Sequence, residues 1–296
     1  MPPSLAAEPV DDALLRGWPL PVPGGGDKNA RGGALVVAGA PQMPGAAILC
    51  AIAVLRSGAG KVQVGTPASV APLVGAGVLE ALVVALDELP SGAIAKQNAP
   101  AVVEHANALD ALVIGPALVD QRSAAALTCA VLSGLEVPAV VDAAALACVN
   151  DGGDALRALG GRALVTPHCG EMASMLRVAR EEVERDPARY ALDAARRFGA
   201  VVALKGERTF IAAPDGTLYR SDDGDIGLAT AGSGDVLAGI AGGLLARGAP
   251  PLQAAVWAVA LHARAGARLS QRVGLGFLAR ELPGEIPVLL RELADR

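Results

Sequence analysis

Leu228 to Gly239, read LATAGSGDVLAG, joins a turn of small residues to one acid and then to an apolar run. Glycine at 232 and 234 allows backbone conformations closed to residues with a Cβ. Successive N–H groups can then converge on an anion at the start of a helix, where the dipole favours negative charge. Asp235 falls in the first turn of that helix. A carboxylate there does little for anion binding, but it is placed to take a proton from a hydroxyl during phosphoryl transfer. An ordinary glycine-rich turn with Asp235 as a helix cap has the same signature, and the motif alone leaves both readings open.

Other candidate groups lie in short loops. In Thr166-Pro167-His168-Cys169-Gly170-Glu171, His168 and Glu171 follow a strand and precede a helical pattern over Met172 to Val178. A histidine so placed is more often a structural hydrogen-bonding group than a catalyst. A Cys169–His168 nucleophile pair is disfavoured, because chain neighbours seldom aim at each other. Lys205-Gly206-Glu207-Arg208-Thr209 ends a strand with a cation, a glycine and a hydroxyl, a set that fits a nucleotide phosphate or ribose and equally a polar β-turn. Gly115-Pro116-Ala117-Leu118 and Met43-Pro44-Gly45-Ala46 are strand-to-helix turns, placed where backbone could approach a ligand, and each is a weak signal as an isolated turn. Asp142, at the end of a strand, either faces a metal or caps the next helix, and the cap is expected. His262, a little over one turn from Trp257, reads as core or interface.

These loops need elements to hold them. Ala34–Gly39, Ala111–Pro116, Ala139–Asp142, Ala163–Pro167 and Val201–Gly206 are short runs, apolar for most of their length and ending in turn or polar residues, Lys61–Thr66 reads as a further strand, and helical patterns such as Gly45–Ser57 separate most of them. Runs that are apolar rather than alternating belong to strands covered on both faces, and helical crossovers make the sheet largely parallel. The expected fold is α/β, a doubly wound, largely parallel sheet flanked by helices on both faces, with ligands at the carboxyl ends of the strands. Thr209–Ala212 and Thr217–Tyr219, parted by Pro214-Asp215-Gly216, predict a hairpin closing one edge. The C-terminal third predicts helices over Val236–Arg247, Leu252–Gln271 and near Ile286–Leu293. Residues 1–26 read as a flexible Pro/Gly-rich lead-in and 27–296 as one domain, while 68–73 and 92–107 carry no clear signal.

Composition sets limits. The 296 residues are 52% hydrophobic yet only 2% aromatic, so the core is built from Ala, Val and Leu, and 36 glycines allow close packing and tight turns. A net charge of −5 without a dense Lys/Arg run argues against a nucleic-acid or anionic-membrane surface. Cys50, Cys129, Cys148 and Cys169 lack metal-ligand spacing, the N-terminus lacks a secretion signal, and no evenly apolar run spans a bilayer, which together predict a cytoplasmic, reduced protein.

The order of the motifs is more specific than any one of them. AGAPQMPGAA, RSGAGKVQVGTP, VIGPAL, VVDAAAL, LVTPHCGEM, VVALKGERTFIAAPDG, GLATAGSGDVLAGI and GFLARELPGEIPVLL, in that order, resemble the nucleotide-dependent NAD(P)H-hydrate dehydratases of the ribokinase-like superfamily, from Asp27 to Leu290. TPHxGE together with RSGAGKV points to this branch rather than to the small-molecule kinases. The resemblance implies a ribokinase-like fold and repair of a damaged cofactor: the 6-hydroxy hydrate of NADH or NADPH (NADHX, NADPHX) is dehydrated to NAD(P)H at the expense of ADP, giving AMP and phosphate, or of ATP. It further implies Mg²⁺ with the nucleotide, a homo-oligomer, often a tetramer, and an epimerase on a separate chain, because residues 1–26 are too few to hold that domain.

Carried over by position, the resemblance makes Asp235 the base near the substrate hydroxyl, with Gly232, Ser233 and Gly234 giving amides to the transferring phosphoryl group. Lys205, Gly206, Glu207, Arg208 and Thr209 match the adenine-nucleotide segment, and Gly234 a further nucleotide contact. Ala46, Ala117 and His168, with Asp235, match hydrate-binding positions. No metal ligand is assigned. This chain has Ala117 where the family often has glycine, Asp27-Lys28-Asn29 in place of His-Lys-Gly, and Ala231-Gly232-Ser233-Gly234-Asp235 in place of Gly-Gly-Thr-Gly-Asp. Asp222, Asp223 and Asp225 replace an Asn-Pro-type segment and would repel a polyphosphate unless a divalent cation intervened. Two alternatives stand beside the dehydratase: a small-molecule kinase acting on a hydroxymethylpyrimidine or thiazole alcohol, and a non-catalytic nucleotide-binding protein.

Overall fold

The computed structural model describes residues 7–22 and 24–294. Its strands are β1 (Glu8–Pro9), β2 (Gly33–Val37), β3 (Lys61–Pro67), β4 (Leu82–Leu86), β5 (Ala111–Ile114), β6 (Ala139–Val141), β7 (Ala163–Val165), β8 (Val201–Leu204), β9 (Thr209–Ala212) and β10 (Leu218–Ser221). The helices are α1 (Asp12–Gly17), α2 (Pro44–Arg56), α3 (Ala71–Gly77), α4 (Ala99–Asn107), α5 (Gln121–Leu132), α6 (Asp154–Arg157), α7 (Cys169–Leu176), α8 (Arg180–Arg185), α9 (Pro187–Phe198), α10 (Ser233–Ala246), α11 (Pro251–Val273) and α12 (Leu282–Ala294). One ten-stranded sheet runs β1-β10-β9-β8-β7-β6-β5-β2-β3-β4. Only β8/β9 and β9/β10 pair antiparallel.

The expected architecture holds because each central strand has two buried faces. Along β2, Ala34 and Val36 join a core that includes α2, α10, α11 and α12, while Leu35 and Val37 join the core under α4, α5, α7 and α9. Alternate residues serve opposite layers, and both layers exclude water. With few aromatics to fill space, helices approach closely. A Cβ on Gly239 of α10 would run into the carbonyl oxygen of Cys50 in α2 and come within 2.7 Å of the Ala53 Cβ. Glycine inside a helix costs about 0.5–1 kcal/mol relative to alanine, and here backbone-to-backbone packing offsets it. Among the described residues no helix is long and apolar enough to cross a membrane.

The lead-in differs from expectation. Residues 1–6 and 23 lie outside the described residues, but Glu8–Pro9 pairs in parallel with β10, and Asp11 caps α1 by accepting from the Leu14 N–H at 2.8 Å. The Trp18 carbonyl accepts from Trp257 Nε1 (2.9 Å) and Gln253 Nε2 (3.0 Å), and the Trp18 ring lies 6.3 Å from that of Tyr219. The predicted hairpin is β9–β10, yet β1 and not β10 forms that edge. The segments without a clear signal contain the start of α3 and all of α4.

Candidate active site

The carboxyl ends of β2, β5, β6, β7 and β8 converge as the topology requires, and the start of α10 faces them. Gly39 N–H donates to the Pro116 carbonyl at 2.9 Å, tying the loop after β2 to the loop after β5. Lys205 N–H donates to the Pro167 carbonyl at 2.8 Å, and a parallel bridge between His168 and Lys205 carries the β7/β8 pairing beyond both strands. Side chains at 142, 166, 168 and 205 therefore leave one platform.

Gly232 begins α10 with φ of +90°, a conformation that favours glycine, and a Cβ there would stand 2.6 Å from Leu49 Cδ1. Among the described residues no side chain caps this helix, and Asp235, its third residue, makes no cap bond. Ser233 N–H reaches the Thr230 carbonyl at a long 3.3 Å. The amides of Gly232 and Gly234 have no acceptor among the described residues. Ser233 is held from α11: His262 Nε2 lies 3.0 Å from the Ser233 carbonyl and 2.9 Å from its Oγ. Because a carbonyl can only accept, the proton is on Nε2. Burial lowers the His262 pKa to about 4, so the ring is neutral near pH 7 and anchors the turn.

Asp235 is partly buried, and its pKa rises from 3.8 to about 6, first from burial and then from the negative charge of Asp142, with Lys205 opposing. Such a carboxylate is ionised at neutral pH yet takes up a proton more readily than an ordinary one. Lys205 Nζ donates to Asp142 Oδ1 at 2.9 Å and lies 4.0 Å from Glu171 Oε2. A Cβ on Gly234 would be 3.6 Å from that ammonium. Burial acts to lower the lysine's pKa, but Asp142, Glu171 and Asp235 outweigh it and hold the amine above its ordinary value.

Asp142 corrects the expected helix cap. It precedes a 3-10 turn at Ala143–Asp151 but makes no cap bond; instead Thr166 Oγ1 and Lys205 Nζ both donate to its Oδ1. The charge-assisted bond to an ammonium is stronger than a bond to a peptide N–H. His168 does cap. Its Nδ1 accepts from the N–H groups of Gly170 (3.0 Å) and Glu171 (3.1 Å), while Glu171 Oε2 accepts from the His168 N–H at 2.8 Å. Both ring bonds use Nδ1 as acceptor, so Nε2 carries the proton, on a side chain that is 60% exposed. Burial raises the Cys169 thiol's pKa, contrary to what a nucleophile requires.

The remaining candidates spread around this centre. Ala46 is buried in the first turn of α2, and Ala117 holds φ of +51°, in the left-handed region where the family often has glycine. Glu207 and Arg208 line a separate cavity of about 340 Å³ with Arg220, Asp222 and Gly224, while Thr209 opens β9. Gly206 lies in the turn between them. The acidic segment is another correction. Asp222 lies 2.8 Å from Arg220 Nε and 3.4 Å from Arg208 Nε, Asp223 lies 3.8 Å from Arg264 Nε, and Asp225 Oδ1 accepts from Gly227 N–H and Ser270 Oγ. Arginines therefore stand beside the acids at 222 and 223 but not beside Asp225, so the repulsion expected from the sequence is reduced at the first two. Sequence reasoning missed Thr166, Arg220 and Arg264; only the first stands in a recognisable motif.

An open glycine turn, a partly buried acid and a held ammonium stand together at the carboxyl ends of a doubly wound sheet, where such sheets bind ligands, on a ribokinase-like fold. The sequence model for NAD(P)H-hydrate dehydratase matches residues 34–288, and the chain belongs to that family. It is 45% identical to an ADP-dependent (S)-NAD(P)H-hydrate dehydratase of Xanthomonas campestris, over 96% of each chain. It is 37% identical to a bifunctional NAD(P)H-hydrate repair enzyme of Moorella thermoacetica, over 91% of this chain and 51% of that protein. Among solved structures, the ADP/ATP-dependent NAD(P)H-hydrate dehydratase of Bacillus subtilis co-crystallised with ATP/Mg²⁺ superposes with a TM-score of 0.83 at 28% identity, over 98% of this chain and 100% of that one.

Proposed function

We propose that this chain dehydrates the 6-hydroxy hydrate of NADH or NADPH to NAD(P)H, consuming ADP and releasing AMP and phosphate. Hydroxide is a poor leaving group. Transfer of a phosphoryl group to the hydrate's hydroxyl converts it to a good one, and phosphate then leaves with the C–O bonding electrons as the ring loses a proton. Asp235 takes the hydroxyl proton in the first step, and its pKa of about 6 supports this role. The unengaged amides at Gly232 and Gly234 and the Lys205 ammonium stabilise the charge on the phosphoryl group. His168 donates from Nε2 to the hydrate, and Ala46 and Ala117 border it. The rest of the 205–209 segment holds the nucleotide.

Mg²⁺ fits this reading as an ion carried on the nucleotide's phosphates, which calls for one or two protein carboxylates at most. Among the described residues no group of three His, Cys, Asp or Glu could hold a metal. The bound ion would neutralise phosphate charge. Family resemblance alone supports a cytoplasmic homotetramer, and analytical ultracentrifugation tests the assembly.

The observation that carries the reading is Asp235, partly buried beside an open anion turn. Recovery of 340 nm absorbance from purified NADHX tests it, with ADP/Mg²⁺ and separately ATP/Mg²⁺, in wild type and Asp235→Asn. Recovery by wild type alone is expected. Nucleotide binding without recovery would refute it and favour a kinase of small alcohols.

A further inference from the structure

At the ends of β6 and β7, two polar side chains are almost wholly removed from solvent, Asp142 at 2% and Thr166 at 1% exposure. Neither is among the residues that the family resemblance assigns to substrate or nucleotide. Both spend their hydrogen bonds on one oxygen: Asp142 Oδ1 accepts from Thr166 Oγ1 at 2.6 Å and from Lys205 Nζ at 2.9 Å.

We propose that Asp142 and Thr166 are positioning residues that lock the Lys205 ammonium against the Gly232–Gly234 turn, so that a fixed cation meets the transferring phosphoryl group. The inference rests on the reading of this turn as the phosphoryl site and of Asp235 as the base. A lysine stem has four rotatable carbons, and its head is a compact point charge with three donors. Left free, it would pair with whichever acid lay within reach. The backbone at Lys205 is fixed by its bond to Pro167, and the head by Asp142, with Glu171 Oε2 at 4.0 Å completing an acidic seat. Two N–H donors remain for the side on which Gly234 lies. Thr166 orients the carboxylate, and so acts through it.

A buried ion pair gives little net stability, because desolvation of both charges offsets their attraction. Orientation is the gain that accounts for this one. The charged groups and thiols around Asp235 come from each neighbouring element: Asp142 after β6, Lys205 after β8, Glu171 on α7 through Lys205, Cys50 on α2, and neutral His262 on α11 through Ser233. Removing the Asp142 charge takes a negative neighbour from Asp235 and frees the ammonium to turn toward it. Both changes favour ionised Asp235.

Two readouts test this. The first needs no turnover: NMR of lysine ammonium protons. The Lys205 ammonium is 22% exposed but bonded to a buried carboxylate, whereas Lys28, Lys61 and Lys96 are exposed or half-exposed and pair with no carboxylate among the described residues, so one slowly exchanging ammonium is expected, assigned by its absence in Lys205→Arg. It should vanish in Asp142→Asn and exchange faster in Thr166→Val, with Thr166→Ser restoring it. An unchanged signal in Asp142→Asn and Thr166→Val overturns the proposal. The second is the pH profile of hydrate dehydration. In Asp142→Asn we expect kcat to fall at least about tenfold, KM for the hydrate to stay within about twofold, and the acid limb of kcat/KM to move to lower pH. Thr166→Val should give a smaller fall that Thr166→Ser recovers, and it serves as the test if Asp142→Asn does not fold. A fall in kcat that tracks lost folding, with the limb unmoved, also overturns the proposal. Failure of the underlying functional reading looks different, since wild type itself would then leave NADHX unconverted while the ammonium signal behaves as described.

Discussion

Asp235→Asn should abolish turnover and at the same time stabilise the protein. The Asp235 pKa rises from 3.8 to about 6 on folding, chiefly because the carboxylate loses water and faces Asp142. A tenfold change in proton affinity corresponds to about 1.4 kcal/mol, which sets an upper limit of about 3 kcal/mol on the cost of keeping this charge folded. The side chain is only partly buried, so screening reduces the expected value to about 1.5 kcal/mol. The sign follows from proton binding. Between pH 3.8 and 6 the folded chain holds a proton that the unfolded chain has released, so the stabilising contribution is complete below 3.8 and lost as pH rises through 6. Asparagine carries no charge at any pH. Urea titrations should therefore show Asp235→Asn more stable than wild type by about 1.5 kcal/mol at pH 7.5, with the difference gone near pH 4. Equal stability at pH 7.5, or a gain that persists unchanged at pH 4, would refute the view that this carboxylate is held under electrostatic strain.

His168→Ala removes both the Nε2 donor and the α7 cap, so KM for the hydrate should rise about tenfold with the nucleotide KM within about twofold, and stability should drop by about 1 kcal/mol. Steady-state kinetics with each substrate varied checks the first part, and equal effects on both KM values would count against a substrate-side role. Asp222→Asn releases Arg208 and Arg220, and calorimetry should find ADP bound about threefold more tightly at low salt, the gain fading at about 0.5 M salt; weaker binding would sink the idea. Gly239→Ala forces a methyl into the α2 backbone and should cost about 2–3 kcal/mol in urea titrations. A loss below about 0.5 kcal/mol would mean that α2 and α10 are not in the close contact described.

Most of the central strands were legible because their runs of Val, Leu and Ala need cover on both faces, and five such runs end in turns. The same logic could not reach β4, where Leu82 is 53% exposed and the strand is identified only by its pairing with β3. Nor could it reach β1, two residues long and fixed by contacts more than 200 positions away. At the site, Asp235 and the glycine turn stand in one local motif and were read directly. The Asp142–Lys205 pair spans 63 positions. Each half was noticed for a different reason, the acid as a cap and the lysine as a nucleotide contact, because a sequence window records helix-start preferences and not which strand ends are neighbours. The pairing of Asp222 and Asp223 with arginines from other elements was hidden in the same way.

The edge at β1 bears on how the sheet avoids pairing with other chains. An uncovered strand offers a row of unpaired amides and carbonyls to any passing chain, and folded proteins blunt such edges with short strands, charge and proline. β1 is a two-residue strand of one glutamate and one proline, and proline has no N–H to offer. A chain shortened to begin at Asp27 would lose that cover and leave β10, half of a hairpin, as a raw edge at Tyr219 and Arg220. The expected result is intact central packing with a new tendency to self-associate through β10, so Glu8 and Pro9 serve as a selvedge for the sheet.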